Sequence, residues 1–296
     1  MTRHPIALAL TTLLYAAAYA QEELSGPVWS PYGLVYGIYD NNADRDESKI
    51  KSRGFVYGVG LDFKNNARRP TFEFSYETAV HNYSNFDRFD RTSHSFSGVY
   101  HHKFSDALRA DLIGEVAFKG SSDDRDVNDI YSIQPRLQYR FSDINRLNLR
   151  GNYRLRRPAD DPNGENHNRF VELGFERRMA NDQQLELAIR YEINRAKDPN
   201  NHYIRRTMSA EYKAEASDRD KFSIEIRHRP RTYTVREVEP GVLRFDNIWV
   251  IQAGWERLLT DKLALLLDLR YETRRSNDED RNFNQAVLGA GLKYRW

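Results

Sequence analysis

Leu263-Ala264-Leu265-Leu266-Leu267-Asp268-Leu269-Arg270-Tyr271-Glu272 places leucine or tyrosine at every odd position and Asp268, Arg270 and Glu272 among the even ones. Neighbouring side chains of a strand point to opposite faces, so one face of this segment is hydrocarbon and the other mostly ionic. Runs of the same period recur and predict fourteen strands, near 31–40, 53–64, 70–81, 94–104, 107–119, 129–141, 146–156, 169–179, 184–194, 203–214, 221–232, 245–257, 262–274 and 283–296. Segments of about ten residues with alternating hydropathy mark a membrane-spanning β-barrel.

The connectors alternate in length. Asn65-Asn66-Ala67-Arg68-Arg69, Ser105-Asp106, Ser142-Asp143-Ile144-Asn145, Ala180-Asn181-Asp182, Ala216-Ser217-Asp218 and Thr260-Asp261 are short and made of turn-forming residues. The others, 41–52, 82–93, 120–128, 157–168, 195–202, 233–244 and 275–282, are longer and charged. Outer-membrane barrels have short periplasmic turns and longer outer loops, and an even strand count brings both termini to the short-turn side. The predicted fold is an all-β, fourteen-stranded, antiparallel transmembrane up-and-down barrel in an outer membrane.

With 30% charged residues and a mean hydropathy of −0.79, bulk hydropathy points to a soluble protein. That scale misses barrels, because polar lumen residues dilute the lipid-facing ones. Residues 1–20 read as a cleaved export signal, with Arg3, an apolar stretch over 6–14 and Ala18-Tyr19-Ala20 before Gln21, leaving 21–296 as the barrel. The absence of cysteine excludes disulfides and thiolate metal sites. Of the 45 basic residues about ten are lysine, so the cations are mainly guanidinium, which suits planar carboxylate, phosphate or sulfate partners.

The predicted lipid-facing sets include Tyr32, Leu34, Tyr36 and Ile38; Phe55, Tyr57, Val59, Leu61 and Phe63; Phe72, Phe74 and Tyr76; Leu147, Leu149 and Tyr153; and Leu185, Leu187, Ile189, Tyr191 and Ile193. Aromatics gather towards strand ends, as interfacial girdles do. A secreted β-sandwich would also alternate, but its apolar faces should shrink near its edges, whereas all fourteen runs carry one.

The inward phase carries the chemistry. Predicted strands six and seven offer Arg136, Arg140, Arg150, Arg154 and Arg156, with Gln134, Gln138, Asn148 and Asn152 between them. Opposite in a fourteen-membered ring, strands thirteen and fourteen offer Arg270, Arg274, Lys293 and Arg295. Strand eleven adds Arg227, Arg229 and Arg231 near the outer mouth, and strand ten adds Arg205. Guanidinium forks on two facing tracks would hand a carboxylate along while the amides meet hydroxyls. Glu73 and Glu77 on strand three form an acidic wall against Arg150 and Arg154, setting a transverse field. The competing reading is an ion-pair network, because inward acids such as Asp111, Glu172, Glu186, Glu192, Glu211, Glu225 and Glu272 lie on neighbouring strands.

The last strand, with Ala286, Leu288, Ala290, Leu292, Tyr294 and Trp296 outward, resembles the C-terminal strand that Gram-negative outer-membrane proteins present to their assembly machinery. Its Leu292, Tyr294 and Trp296 are the residues through which the resemblance implies that contact. Strand number and length together resemble the monomeric OmpG-type porins, with the Arg-rich acidic-oligosaccharide channels of the KdgM type next. The resemblance implies a monomeric channel, without cofactor, for ions and small hydrophilic solutes, including acidic sugars or oligosaccharides. The lumen-histidine gate of some OmpG-type members is not carried over, because predicted strands twelve and thirteen hold no histidine.

Other chemistries lack their residues. The histidines, such as adjacent His101 and His102, have no metal-ligand spacing, and no Gly-rich phosphate loop or concentrated basic patch suggests nucleic acid. An outer-membrane hydrolase would need Asn, His and Ser together on the lipid face, and His228 has no outward serine in its strand. Asp123-Asp124-Arg125-Asp126 and Asp278-Glu279-Asp280 could hold divalent cations bridging lipopolysaccharide, and outward Arg206 could meet its phosphates. Loop 233–244 is long enough to fold over the mouth. The alternative to a channel is a non-conducting structural or adhesive barrel whose ion pairs fill the lumen.

Overall fold

The computed structural model describes residues 26–296 except 44, 46–48, 67–69, 85–89, 122–126, 159–163 and 181, and omits the side chains of 120, 121 and 127. The expected export signal and the whole acidic cluster at 123–126 therefore lie outside the described residues.

Fifteen strand segments follow in order: β1 (Val28–Asp40), β2 (Ser52–Lys64), β3 (Phe72–Tyr83), β4 (Arg91–Lys103), β5 (Leu108–Ser121), β6 (Val127–Arg140), β7 (Asn145–Pro158), β8 (Asn166–Arg178), β9 (Gln184–Ala196), β10 (Tyr203–Ser217), β11 (Asp220–His228), β12 (Arg231–Glu239), β13 (Val242–Leu258), β14 (Leu263–Ser276) and β15 (Phe283–Arg295). Successive segments pair antiparallel except β11 and β12, which do not pair with each other, and β1 pairs with β15, which closes the ring and leaves no sheet edge.

Segments β11 and β12 are one stave of a fourteen-stave barrel. Both lie between β10 and β13, and the register is unbroken across them: Met208 faces His228 and Tyr203 faces Tyr233, while Trp249 faces His228 and Asp246 faces Arg231. Pro230 has no N–H to give the ladder, so the segment assignment lapses there although its carbonyl still accepts from Arg206 N at 3.1 Å.

The expected loop over 233–244 is instead a hairpin. Strand β12 continues to Glu239, a turn at Pro240-Gly241 follows with Gly241 at φ +79°, and β13 begins at Val242. A register shift between Thr232 and Glu237 absorbs the extra residues as a bulge. At the opposite end, the short turns share a hydroxyl device. Ser105 Oγ accepts from the N–H groups of Ala107 and Leu108, Ser217 Oγ from Arg219 and Asp220, and Thr260 Oγ1 from Lys262 and Leu263.

The outside is an apolar belt: Phe55, Val59, Leu137, Leu149, Leu173, Ile189, Met208, Ile224, Leu269 and Leu288 are all exposed. Aromatics thicken its short-turn rim, where Trp29 lies 4.4 Å from Phe63, Phe222 6.1 Å from Trp255, and Tyr294 5.7 Å from Trp296 between ring centroids. Such a surface is stable only against hydrocarbon, which places the barrel in an outer membrane.

One stave reverses the expected phase. Tyr32, Leu34 and Tyr36 are inside, at 1%, 4% and 3% exposure, with Ile38 packed beside them, while Trp29 and Val35 face out. The flanking strands explain it, because they present glycines inward at exactly the level the rings occupy: a Cβ on Gly60 would lie 2.2 Å from Tyr32 Cζ, and one on Gly289 2.1 Å from the Tyr36 hydroxyl. Each ring lies flat over a bare stretch of neighbouring backbone. Beyond it, Tyr32 donates to Glu77 on β3 at 2.8 Å and Tyr36 donates to Asp268 on β14.

Candidate functional site

The lumen wall is the candidate site, and every arginine expected to line it projects from the inward phase of its stave. Few are bare. Arg136 Nη2 lies 2.7 Å from Asp111, its register partner across β5 and β6. Asp111 also meets His101 at 2.6 Å, and His101 reaches Glu73 at 2.9 Å, so the short-turn end of the wall holds a chain of acid, base and imidazole. Arg140, at the rim, donates to the Asp106 carbonyl at 2.7 Å.

Half-way up, Arg150 bridges Glu172 at 3.0 Å and Glu186 at 2.5 Å, and Arg190 shares Glu172 at 2.5 Å. Glu172 directly faces both Arg150 and Arg190 in the ladders. Glu172 pairs with arginines on both neighbouring strands, as cross-strand opposite charges do, and Arg150 also reaches across β8 to Glu186 on β9.

The outer end is denser. Arg205 and Glu192, register partners, are 2.5 Å apart with side chains 2% and 0% exposed. Asp246 takes Arg231 at 2.5 Å, Arg244 at 2.9 Å and the Ser276 hydroxyl at 2.8 Å. The rings of Tyr203 and Tyr233, 6.0 Å apart, back these cations: Arg231 lies 5.1 Å and 5.0 Å from the two centroids, and Arg244 4.7 Å from Tyr233. Nearby, Arg270 and Arg274 converge on Glu272, the latter at 3.7 Å.

The remaining expected residues are placed singly. Arg156 donates to Asn166 at 2.9 Å, beside Arg154 on the outer half of β7. Arg227 meets Glu225 at 3.4 Å and Gln252, while buried Arg229 occupies the break between β11 and β12. Lys293 Nζ sits 3.8 Å from the Tyr32 centroid, and Arg295 is half-buried at the short-turn end of β15. Glu73 and Glu77 share the inner face of β3, the first meeting His101 and Lys64 and the second taking the Tyr32 hydroxyl.

Sequence reasoning passed over Arg190, Arg244 and His101 as parts of this wall. Arg190 stood in the inward phase of strand nine and was legible there; Arg244 was hidden by the expected loop. Asp278, in a cluster that could hold a divalent cation, lies 3.4 Å from Arg236 and 3.5 Å from Arg244. Among the described residues no group of three or more metal-ligating side chains converges.

The charges are graded along the axis. Among the described residues, on the outer half of β7 and β9–β14, the inward arginines 154, 156, 205, 229, 231, 244, 270 and 274 outnumber the carboxylates Glu192, Asp246, Glu272 and Asp278.

No protein-family profile and no curated protein sequence matches the chain. The fold is shared with solved outer-membrane channels. An anion-selective porin from Comamonas acidovorans superposes with TM-score 0.53 at 9% identity, over 91% of this chain and 100% of that one. OprB of Pseudomonas putida gives 0.51 at 9% identity over 98% and 97%, and the outer membrane channel DcaP of Acinetobacter baumannii 0.50 at 10% over 93% and 99%. What the chain has in common with them is the closed antiparallel barrel on which outer-membrane porins are built.

Proposed function

We propose that the protein is a passive outer-membrane porin for ions and small hydrophilic solutes, with a preference for anions that extends to acidic sugars or oligosaccharides. The carrying observation is the excess, among the described residues, of inward arginine over carboxylate on the outer half of the wall. A solute arriving from outside meets positive potential first, and guanidinium offers it a planar fork. No covalent step and no cofactor is involved, and the chain acts as a monomer in the manner of the OmpG-type channels it resembles. Outward Arg169, Arg195 and Arg206, exposed at the outer end of the belt, would face lipid or lipopolysaccharide phosphates, and Leu292, Tyr294 and Trp296 would meet the assembly machinery.

Planar-bilayer recording under a salt gradient tests this reading. Anion preference that weakens as salt rises is expected, since screening shortens the reach of the mouth potential. Cation preference would sink the anion assignment. In the double variant Arg150→Ala with Arg154→Ala, which leaves Glu172 and Glu186 with one cation fewer, the anion-to-cation permeability ratio should fall roughly twofold or more. An unchanged reversal potential would assign both arginines to wall structure alone.

One observation favours a second reading. Inward Asn168, Glu192, Asp246 and Val250 are all 0% exposed, as in a filled lumen. A non-conducting structural barrel would pass no current in the same recording.

A further inference from the structure

The inner wall of β7–β11 carries a niche of about 70 Å³. Its floor on β9 and β10 is small, Ala188 and Ser209 being register partners, and on β11 Arg227 faces Ser209. Towards the outer end it is bounded by Arg150, Arg190 and Arg229, with Glu172 between the first two, and towards the short-turn end by Glu186, Glu211 and Glu225. On β9 the two rims stand four residues apart, at 190 and 186, a Cα spacing of about 13 Å that long side chains narrow from both sides. At the β7 end Arg150 already bridges to Glu186 at 2.5 Å. At the β10–β11 end, Glu211 pairs with Lys213 at 3.0 Å and Glu225 with Arg227 at 3.4 Å, and the rims stay apart over Ser209.

The niche is thus a dipole with a shallow floor. A simple anion gains from one rim and is repelled by the other, and a simple cation meets the converse. A molecule with both charges gains from both, and the volume, below that of a roughly 150 Å³ benzene-binding cavity, holds a group of glycine size, with the rest of a longer zwitterion left in the lumen.

We propose that this niche binds a small zwitterion, such as an amino acid or short peptide, with its carboxylate towards Arg190 and Arg229 and its ammonium towards Glu211 and Glu225. This rests on the channel reading, but not on the preference for acidic sugars. Glycine and glycylglycine should reduce the open-channel current of the full chain saturably in planar bilayers. Acetate, methylammonium and galacturonate at matched concentration and ionic strength should reduce it far less. Ser209→Leu fills the floor and Glu211→Gln removes charge from one rim; each should raise the half-blocking concentration of glycylglycine by about tenfold. If the leucine variant does not fold, the glutamine variant carries the test alone. Equal block by acetate or galacturonate, or full block retained in the folded variants, would overturn the assignment. A conducting chain indifferent to both zwitterions defeats this inference alone, whereas a chain without conductance defeats the channel reading and the inference together.

Discussion

Gly289→Val should leave most of the protein unable to form a stable barrel. The new Cβ would fall 2.1 Å from the Tyr36 hydroxyl and within 2.5 Å of two of its ring carbons. Tyr36 has little freedom to yield, because its hydroxyl is held by Asp268 and its ring also lies over Gly291, where a Cβ would come 2.3 Å from Cδ2. Overpacking alone costs about 1–3 kcal/mol. Losing a hydrogen bond to a charged group adds about 1.5–3 kcal/mol. The damage falls on the β1–β15 pairing that closes the ring, so the loss is of the whole fold rather than of one contact. The fraction running as folded barrel on unheated gels checks it, and adding Tyr36→Ala should restore much of the loss by emptying the space. A valine variant as heat-stable as the parent would show that the ring is not seated there.

That seam also shows where the sequence could be misread. In most staves large apolar side chains occupy one phase and polar ones the other, so the membrane face of β7, β9 and β14 was legible directly. In β1 both phases are apolar, Tyr32, Leu34 and Tyr36 against Gly33, Val35 and Gly37. Size alone favours turning the tyrosines to lipid. What decides the matter lies elsewhere in the chain: Gly60 on β2, and Gly289 and Gly291 on β15, leave the inner wall bare where the rings fit. A period-two pattern within one strand cannot register a complementarity between three strands.

The arginines divide in the same way. Their inward direction follows from alternation, but their partners follow from register, which alternation does not set. Glu172 faces both Arg150 and Arg190 because β7, β8 and β9 are offset as they are, and a two-residue slip would have matched Arg150 with Gly174. Arg244 was illegible for a different reason. Charged residues with Pro240-Gly241 at 233–244 resemble a solvated loop, and the continuation of the ladder past Pro230 depends on pairing with β10 and β13.

Asp246→Ala should open the outer mouth and cost the barrel stability together. The carboxylate is 0% exposed and takes Arg231, Arg244 and Ser276, so its removal leaves two buried guanidinium groups without the charge between them, with Asp278 still 3.5 Å from Arg244. Breaking a buried pair from one side costs about 3–5 kcal/mol, more than a well-packed apolar replacement of the whole group would. The two arginines share the face of Tyr233, and their repulsion should push the β12–β13 hairpin away from the wall. Two measurements separate the consequences. The temperature at which the folded band is lost should drop, and in those molecules that remain folded the single-channel current should become more anion-selective, because one negative charge has left an already positive mouth. Asp246→Asn keeps hydrogen-bond acceptance for one arginine and should recover part of the stability but not the original selectivity. If both variants matched the parent in selectivity, the outer arginine cluster would have no part in choosing the solute.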